Sequence, residues 1–210
     1  MKRLSAIIII FILSLNYCSR LDIVGNDSVR AFGEVLNVLP AESDGSGGWR
    51  MAAPDNNAWF DWDNHGISMI VDAQPFIRAG LDLNKLKKSE MVSGNNIIFM
   101  LPAFNMPNQD TQSSPLEQFK KAVRFFRKYI GYHMEMDHYN ITIANGNMFE
   151  WAKDIESNDK DIVFVLNPEP LIAAGVDPEN VDRWVYAQVK VHIDGKPADV
   201  WKFLKPFDLK

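Results

Sequence analysis

Two segments of the chain repeat apolar residues at the spacing of an α-helix. The first places four of them at i, i+3, i+7 and i+10: Val29, Phe32, Leu36 and Leu39. They share one helical face, and Pro40 ends the pattern. The second begins with Ser114-Pro115-Leu116-Glu117, a capping-box pattern, and its apolar stripe continues to Ile130. We therefore predict amphipathic helices over residues 26–38 and 115–130.

After each of these helices, short apolar runs are separated by turn residues. Asn145-Gly146 is typical of a β-hairpin, and Pro54–Asn57 and Asp194-Gly195 also favour turns. The strands predicted on this basis are Trp49–Ala53, Ala58–Trp62, Ile67–Asp72, Asn96–Ala103, Tyr139–Ala144, Asn147–Trp151, Asp161–Asn167, Trp184–Ile193 and Ala198–Leu204.

One pattern occurs twice, over Asp72–Leu86 and again over Asn167–Val181. The identical pairs are Pro75/Pro170, Ile77/Ile172, Ala79/Ala174, Gly80/Gly175 and Asp82/Asp177. In each copy the Pro suits the start of a short helix and the Gly suits its end. Phe60-Asp61-Trp62 aligns in the same way with Phe149-Glu150-Trp151.

These patterns together predict an α+β fold with a mainly antiparallel sheet. Its unit is a helix, a β-hairpin, a strand, a short helix and a strand, and the unit is internally duplicated. We assign the first repeat to residues 26–106 and the second to residues 111–210, packed as one globular body. Residues 104–113, which span the boundary between the repeats, are rich in Asn, Pro, Gln and Ser, which is typical of a linker.

The N-terminus has the pattern of an export signal. Met1-Lys-Arg precedes the apolar run Leu4–Leu15, which is shorter than the ~20 residues that span a membrane. The chain's single cysteine, Cys18, follows this run, with Leu15 three residues before it. This segment resembles the signal of bacterial lipoproteins, in the loose form found in spirochaetes. Tyr17 departs from the pattern, in which a small residue precedes the cysteine.

The resemblance implies that residues 1–17 are a cleaved signal peptide and that residues 18–25 are a lipidated tether, acylated on Cys18. Ser19 stands where an Asp resembles an inner-membrane retention signal, so the outer membrane is favoured over the inner. The alternative is an ordinary secretory signal with an incidental cysteine. No cysteine follows position 18, so the exported body has no internal disulfide.

Composition limits the partners. The chain has 210 residues, of which 47% are hydrophobic, enough for one good core or two small fused ones. Its net charge is −5, and without the segment that holds Lys2 and Arg3 it has 20 basic against 27 acidic residues, or −7. An acidic chain without a long basic run argues against nucleic-acid binding. We expect the membrane, reached through the lipid anchor, and a protein or small-molecule ligand as partners.

Asp61 and Glu150 are the most specific polar candidates, because they occupy equivalent places in the two repeats. Alternation along the strands puts Asp61 with Trp59, and Glu150 with Met148, on the outward faces. These four residues are candidates for binding a ligand, and two carboxylates at a defined separation also suit glycoside hydrolysis. The alternative, which we favour, is a pair of surface carboxylates beside core aromatics.

The segment Tyr132–His138 is the richest polar cluster. His133, Asp137 and His138 are candidate metal ligands, although zinc needs a further ligand that no spacing supplies. A solvated connecting loop is the favoured interpretation, and we expect no cofactor.

The chain contains no nucleophile elbow, P-loop, dinucleotide fingerprint or zincin motif. We therefore predict a lipid-anchored envelope protein that acts as a non-catalytic binding or interaction module. The alternatives are an envelope hydrolase that uses the paired carboxylates, and a metal-binding protein that uses the 133–138 cluster.

Overall fold

A computed structural model describes residues 24–63, 65–86, 91–102, 113–155, 160–193 and 196–210. The predicted signal peptide, Cys18, the linker from 104 to 112 and the Asp194-Gly195 turn lie outside these residues.

The two halves of the chain contain the same succession of elements. The first half consists of α1 (residues 24–38), β1 (Glu42–Ser43), β2 (Trp49–Ala52), β3 (Ala58–Asp63), β4 (Gly66–Asp72), α2 (Gln74–Arg78), β5 (Met91–Ser93) and β6 (Asn96–Pro102). The second consists of α3 (Pro115–Phe125), β7 (Ile130–His133), β8 (His138–Thr142), β9 (Met148–Ala152), β10 (Ile162–Leu166), α4 (Glu169–Ala173), β11 (Val185–Ile193) and β12 (Lys196–Phe207).

Each half forms one six-stranded antiparallel sheet. The strand order is β1-β2-β3-β4-β6-β5 in the first and β7-β8-β9-β10-β12-β11 in the second, which is the same order. The predicted α+β class with mainly antiparallel sheet is confirmed. The internal duplication stays a prediction, because a shared order of elements does not by itself demonstrate a common origin.

Capping and turn residues lie at the ends of several helices. The Ser114 hydroxyl accepts a hydrogen bond from the Glu117 amide at 3.4 Å and caps α3. Pro75 and Pro170 lie in the first turns of α2 and α4. The Asp82 and Asp177 side chains accept amide hydrogen bonds two residues onward. Both aspartates therefore stabilise the turn that follows the short helix.

The prediction was wrong about the end of α3 and about the segment that follows. The helix ends at Phe125 rather than Ile130, and a 3-10 turn occupies Arg127–Tyr129. Ile130 instead begins β7 and pairs with Ile141. The segment predicted as a connecting loop is therefore a β-hairpin. The apolar Ile130 fits the stripe of a helix as well as it fits a buried strand position. Its pairing with β8 places it in the strand.

Six aromatic side chains from both halves form the centre of the core. We call them the aromatic cluster: Phe32, Phe60, Trp62, Phe119, Phe149 and Trp151. The rings of Phe60 and Phe149 stack with centroids 4.0 Å apart and planes 7° apart. Phe32 of α1 stacks in turn on Phe119 of α3 at 3.8 Å. The sheets and the helices of the two halves thus share one continuous core.

The two tryptophans of this cluster connect the halves in a crossed fashion. Trp62 Nε1, from the first half, donates a 3.0 Å hydrogen bond to the Pro115 carbonyl at the start of α3. Trp151 Nε1, from the second half, donates a 2.9 Å bond to the Ser28 carbonyl in α1. Each sheet therefore holds the helix of the other half. A buried indole N–H usually has such a partner.

A second crossed contact lies where α2 and α4 end. The Asp82 amide donates to the Ala174 carbonyl at 2.9 Å, and the Asp177 amide donates to the Ala79 carbonyl at 2.7 Å. Between them, Gly80 and Gly175 have φ values of +102° and +110°. A Cβ added at either glycine would lie 2.6 or 2.8 Å from the carbonyl oxygen of the other. Only glycine allows the two backbones to approach this closely.

We expect Gly80→Ala to lower the free energy of unfolding by about 3 kcal/mol or more, because strain at positive φ adds to the clash with Gly175. The measurement is urea unfolding followed by tryptophan fluorescence. Gly94→Ala is the control: Gly94 also has a positive φ, +59°, but no atom lies within 4 Å of an added Cβ. It should cost only about 1 kcal/mol. Equal losses for the two variants would contradict the close-approach explanation.

Candidate functional site

Asp61 lies in the middle of β3 and forms a two-pronged ion pair with Arg50 of β2. Arg50 Nε and Nη2 donate to the two carboxylate oxygens at 2.9 and 2.6 Å. The two residues are direct cross-strand partners. Asp61 and Glu150 are each 7% exposed, so the prediction that both are surface carboxylates was wrong. Asp61 does face away from the core, and the Arg50 side chain lies over it.

Burial and the ion pair act on the two charges differently. Burial raises the pKa of Asp61, and the hydrogen bonds from Arg50 reverse only part of that increase. The hydrogen bond to Asp61 raises the pKa of Arg50, which keeps more contact with solvent. The Arg50 guanidinium therefore stabilises the buried charge of Asp61, and we infer that the pair has a structural role.

Glu150 occupies the equivalent place in β9 but has different neighbours. It is also buried, and its strand partner is Asn140 where Asp61 has Arg50. The fully buried imidazole of His138 lies beside it, with Nδ1 3.6 Å from Glu150 Oε2. Within the described part of the chain, neither ring nitrogen of His138 has a hydrogen-bond partner.

The fold does not unite the four predicted ligand-binding residues in one cleft. Phe60 and Phe149 stack inside the body. Neighbouring residues of a strand point to opposite faces, so Asp61 and Glu150 point away from that contact on two different sheets. Trp59 and Met148 accompany their own carboxylates and are half-buried. This arrangement does not favour a hydrolase that acts through both carboxylates.

The residues predicted as metal ligands belong to the β7–β8 hairpin. His133 pairs with His138 across it, and Asp137 lies in its turn with φ +52°. The Asp137 carboxylate contacts the Tyr132 hydroxyl and lies 3.6 Å from Lys153 Nζ. Among the residues that the structure describes, no group of three or more His, Cys, Asp or Glu side chains is arranged to hold a metal ion.

A cleft of about 470 Å³ lies between α1 and α3, and we call it the basic cleft. Gly25, Asn26 and Val29 of α1 form one wall, and Val123 of α3 lies opposite. Its three cationic residues are Lys120 and Arg124 of α3, and Arg127, which begins the 3-10 turn after this helix. Their i, i+4, i+7 spacing is visible in the sequence, but the packing of α1 against them is not.

The second unusual surface is the β11–β12 hairpin, which extends past its sheet. β10 pairs with only Phe203–Phe207, so among the described strands residues 196–202 pair with β11 alone. One face of this arm is mainly aliphatic, although Lys196 and Lys202 also lie on it; its small apolar residues are Val185, Ala187, Val189, Val191, Ala198 and Val200. On the other face, Trp201 stacks on Tyr186 at 4.6 Å and is 45% exposed. The sequence predicted both strands, but it did not predict that they extend beyond β10.

Comparison of the chain with protein-family models, curated proteins and solved structures found no significant match.

We expect Arg50→Met to destabilise the fold by about 1–2 kcal/mol at pH 7, less than a fully buried pair would cost because Arg50 is 38% exposed. The loss should almost vanish near pH 3. Burial raises the folded-state pKa of Asp61, so its protonated form favours folding, and that contribution is lost as the pH rises. Urea unfolding between pH 3 and pH 7 measures this dependence.

Two further variants test the assignment to Asp61. Arg50→Met/Asp61→Asn should remove the added pH dependence. Arg30→Met, which breaks the exposed Arg30–Glu34 pair, should change stability by no more than about 0.5 kcal/mol at any pH. A pH-independent loss in Arg50→Met would show that the guanidinium acts through packing rather than through charge.

Proposed function

We propose that this protein is a lipid-anchored protein of the bacterial envelope whose body acts as a non-catalytic binding or interaction module. The observation that carries the proposal is the place of the single cysteine. Cys18 lies three residues after Leu15, where the apolar run ends, and six residues before Val24, the first residue that the structure describes. The outer membrane is the proposed location, because Ser19 rather than Asp follows the cysteine.

The geometry of the described residues agrees with such an anchor. Six residues span at most ~20 Å even when fully extended, so acylated Cys18 would hold the start of α1 close to the bilayer. Among the described residues no helix is long and apolar enough to cross a membrane. Acyl chains add about 0.8 kcal/mol of membrane affinity per buried CH₂ and would supply the attachment.

The β11–β12 arm supports the interaction part of the proposal. A two-stranded hairpin in water is marginally stable by itself, and this one presents both a mainly aliphatic face and an exposed tryptophan. Val185, at its base, is 51% exposed. Apolar surface of this kind, at the edge of a sheet, is typical of protein-binding surfaces.

The anchor is tested by labelling cells with an alkyne-bearing fatty acid. The wild-type protein should become labelled and Cys18→Ala should not, because the chain has no other cysteine. Tyr17→Ala is the matched control: it places a small residue before Cys18 and should keep or increase the label. An unlabelled wild type, or a purified protein that retains residues 1–17 by mass spectrometry, would refute the anchor.

The arm is tested with two substitutions on the same strand face. Phe203 is fully buried, so Phe203→Ala should lower the free energy of unfolding by about 3–5 kcal/mol. Trp201→Ser should lower it by only about 1 kcal/mol, the value of its stacking on Tyr186. Urea unfolding compares the two variants. A loss in Trp201→Ser as large as that in Phe203→Ala would show that this tryptophan serves the fold rather than an interaction.

A further inference from the structure

The basic cleft has the charge of an anion-binding site. Lys120, Arg124 and Arg127 line one side of it, while the chain without its signal segment has a net charge of −7. An acidic body is repelled by an anionic surface except where its cations are concentrated. Lys121 and Lys128 lie on the same stretch of chain and increase the local positive charge.

The cleft also has room for a small polar group. Its volume of about 470 Å³ lies in the range of small-ligand sites. Val29 and Val123 give it an apolar part, whereas the three cations and Asn26 provide hydrogen-bond donors. A phosphate with a short glycerol chain matches this combination of charge, donors and apolar wall.

The position of the cleft favours a membrane lipid as the source of the phosphate group. Gly25 and Asn26, which line it, are seven and eight residues from Cys18. A chain of this length reaches at most ~25–30 Å, so an acylated Cys18 keeps the cleft near the membrane surface. Anionic lipid headgroups attract basic residues there, and the attraction decays over a Debye length of about 10 Å.

We propose that the basic cleft binds the phosphate headgroups of anionic phospholipids in the membrane that holds Cys18. This inference rests on the proposed lipid anchor and adds a second, electrostatic contact to it. The two contacts together fix the orientation of the body, with α1 and α3 toward the bilayer and the rest of the protein away from it.

The acidic group that contacts Lys120 competes with this ligand only weakly. Glu117 Oε1 lies 3.6 Å from Lys120 Nζ, and both side chains are substantially exposed. Exposed pairs of this kind contribute little, so a lipid phosphate displaces the carboxylate without a large loss.

The test is the reactivity of Lys120 toward a water-soluble amine-acylating reagent, read by mass spectrometry. The full-length acylated protein is placed in vesicles of phosphatidylcholine alone or with about 30 mol% phosphatidylglycerol. Phosphatidylglycerol should slow the labelling of Lys120 about fivefold or more, since ~1 kcal/mol per basic residue corresponds to about fivefold. Lys85, in a similar i, i+3 pair with Asp82, is the internal control and should react at an unchanged rate.

Two variants identify the cations responsible. Arg124→Gln/Arg127→Gln should reduce the protection of Lys120 to less than twofold. Arg78→Gln/Arg183→Gln removes the same charge from two exposed arginines outside the cleft and should leave the protection intact. Protection that survives the first variant would overturn the assignment to the cleft.

The remaining outcomes distinguish binding of lipid headgroups from binding of free phosphate. They also distinguish a failure of the cleft proposal from a failure of the lipid anchor. Equal Lys120 rates in the two vesicle types, or equal slowing of Lys85, would overturn the proposal. Inorganic phosphate at 10 mM should give no protection in phosphatidylcholine vesicles, and full protection by it would show that the cleft binds free anions instead. Failure of the anchor is seen separately, because the protein would then not sediment with phosphatidylcholine vesicles at all.

Discussion

Phe60 and Phe149 stack face to face at the centre of the molecule, and the other long-range contacts are arranged around this pair. The stacked rings bring β3 of one sheet against β9 of the other, and Phe32 and Phe119 close the cluster from the helical side. The crossed tryptophan hydrogen bonds and the crossed glycine backbones then connect the halves at further points. A change of ring size at either phenylalanine would be transmitted to all of these contacts, because cores are close-packed.

This arrangement also determines which surfaces remain for binding. The aromatic inner faces of the two sheets are buried, because the two halves pack against each other there. The outer-face carboxylates Asp61 and Glu150 are buried beside Arg50 and His138. Among the residues that the structure describes, two surfaces at the periphery stay open: the basic cleft beside α1, and the arm of β11 and β12. Interaction through such peripheral surfaces is compatible with a rigid, shared core.

Local patterns were sufficient to predict most elements of this fold. Alternation predicted β3 and β9, and the Pro and Gly pairs predicted α2 and α4, because these signals act within a few residues. The end of α3 was not predictable, since Ile130 fits a helix as well as a strand until β8 is present. The burial of Asp61 depends on Arg50, a partner eleven positions away, and the basic cleft depends on how α1 packs against α3. Contacts of this kind are settled by tertiary packing, which a single sequence does not display.

The crossed indole hydrogen bonds have a consequence for the order in which the molecule forms. The Ser28 carbonyl of α1 meets its partner Trp151 only after most of the chain has emerged, a separation of 123 residues. Contacts between distant residues slow folding, because the intervening chain must first be ordered. The N-terminal half of the chain, which is synthesised first, therefore keeps an unfinished core until β9 supplies Trp151.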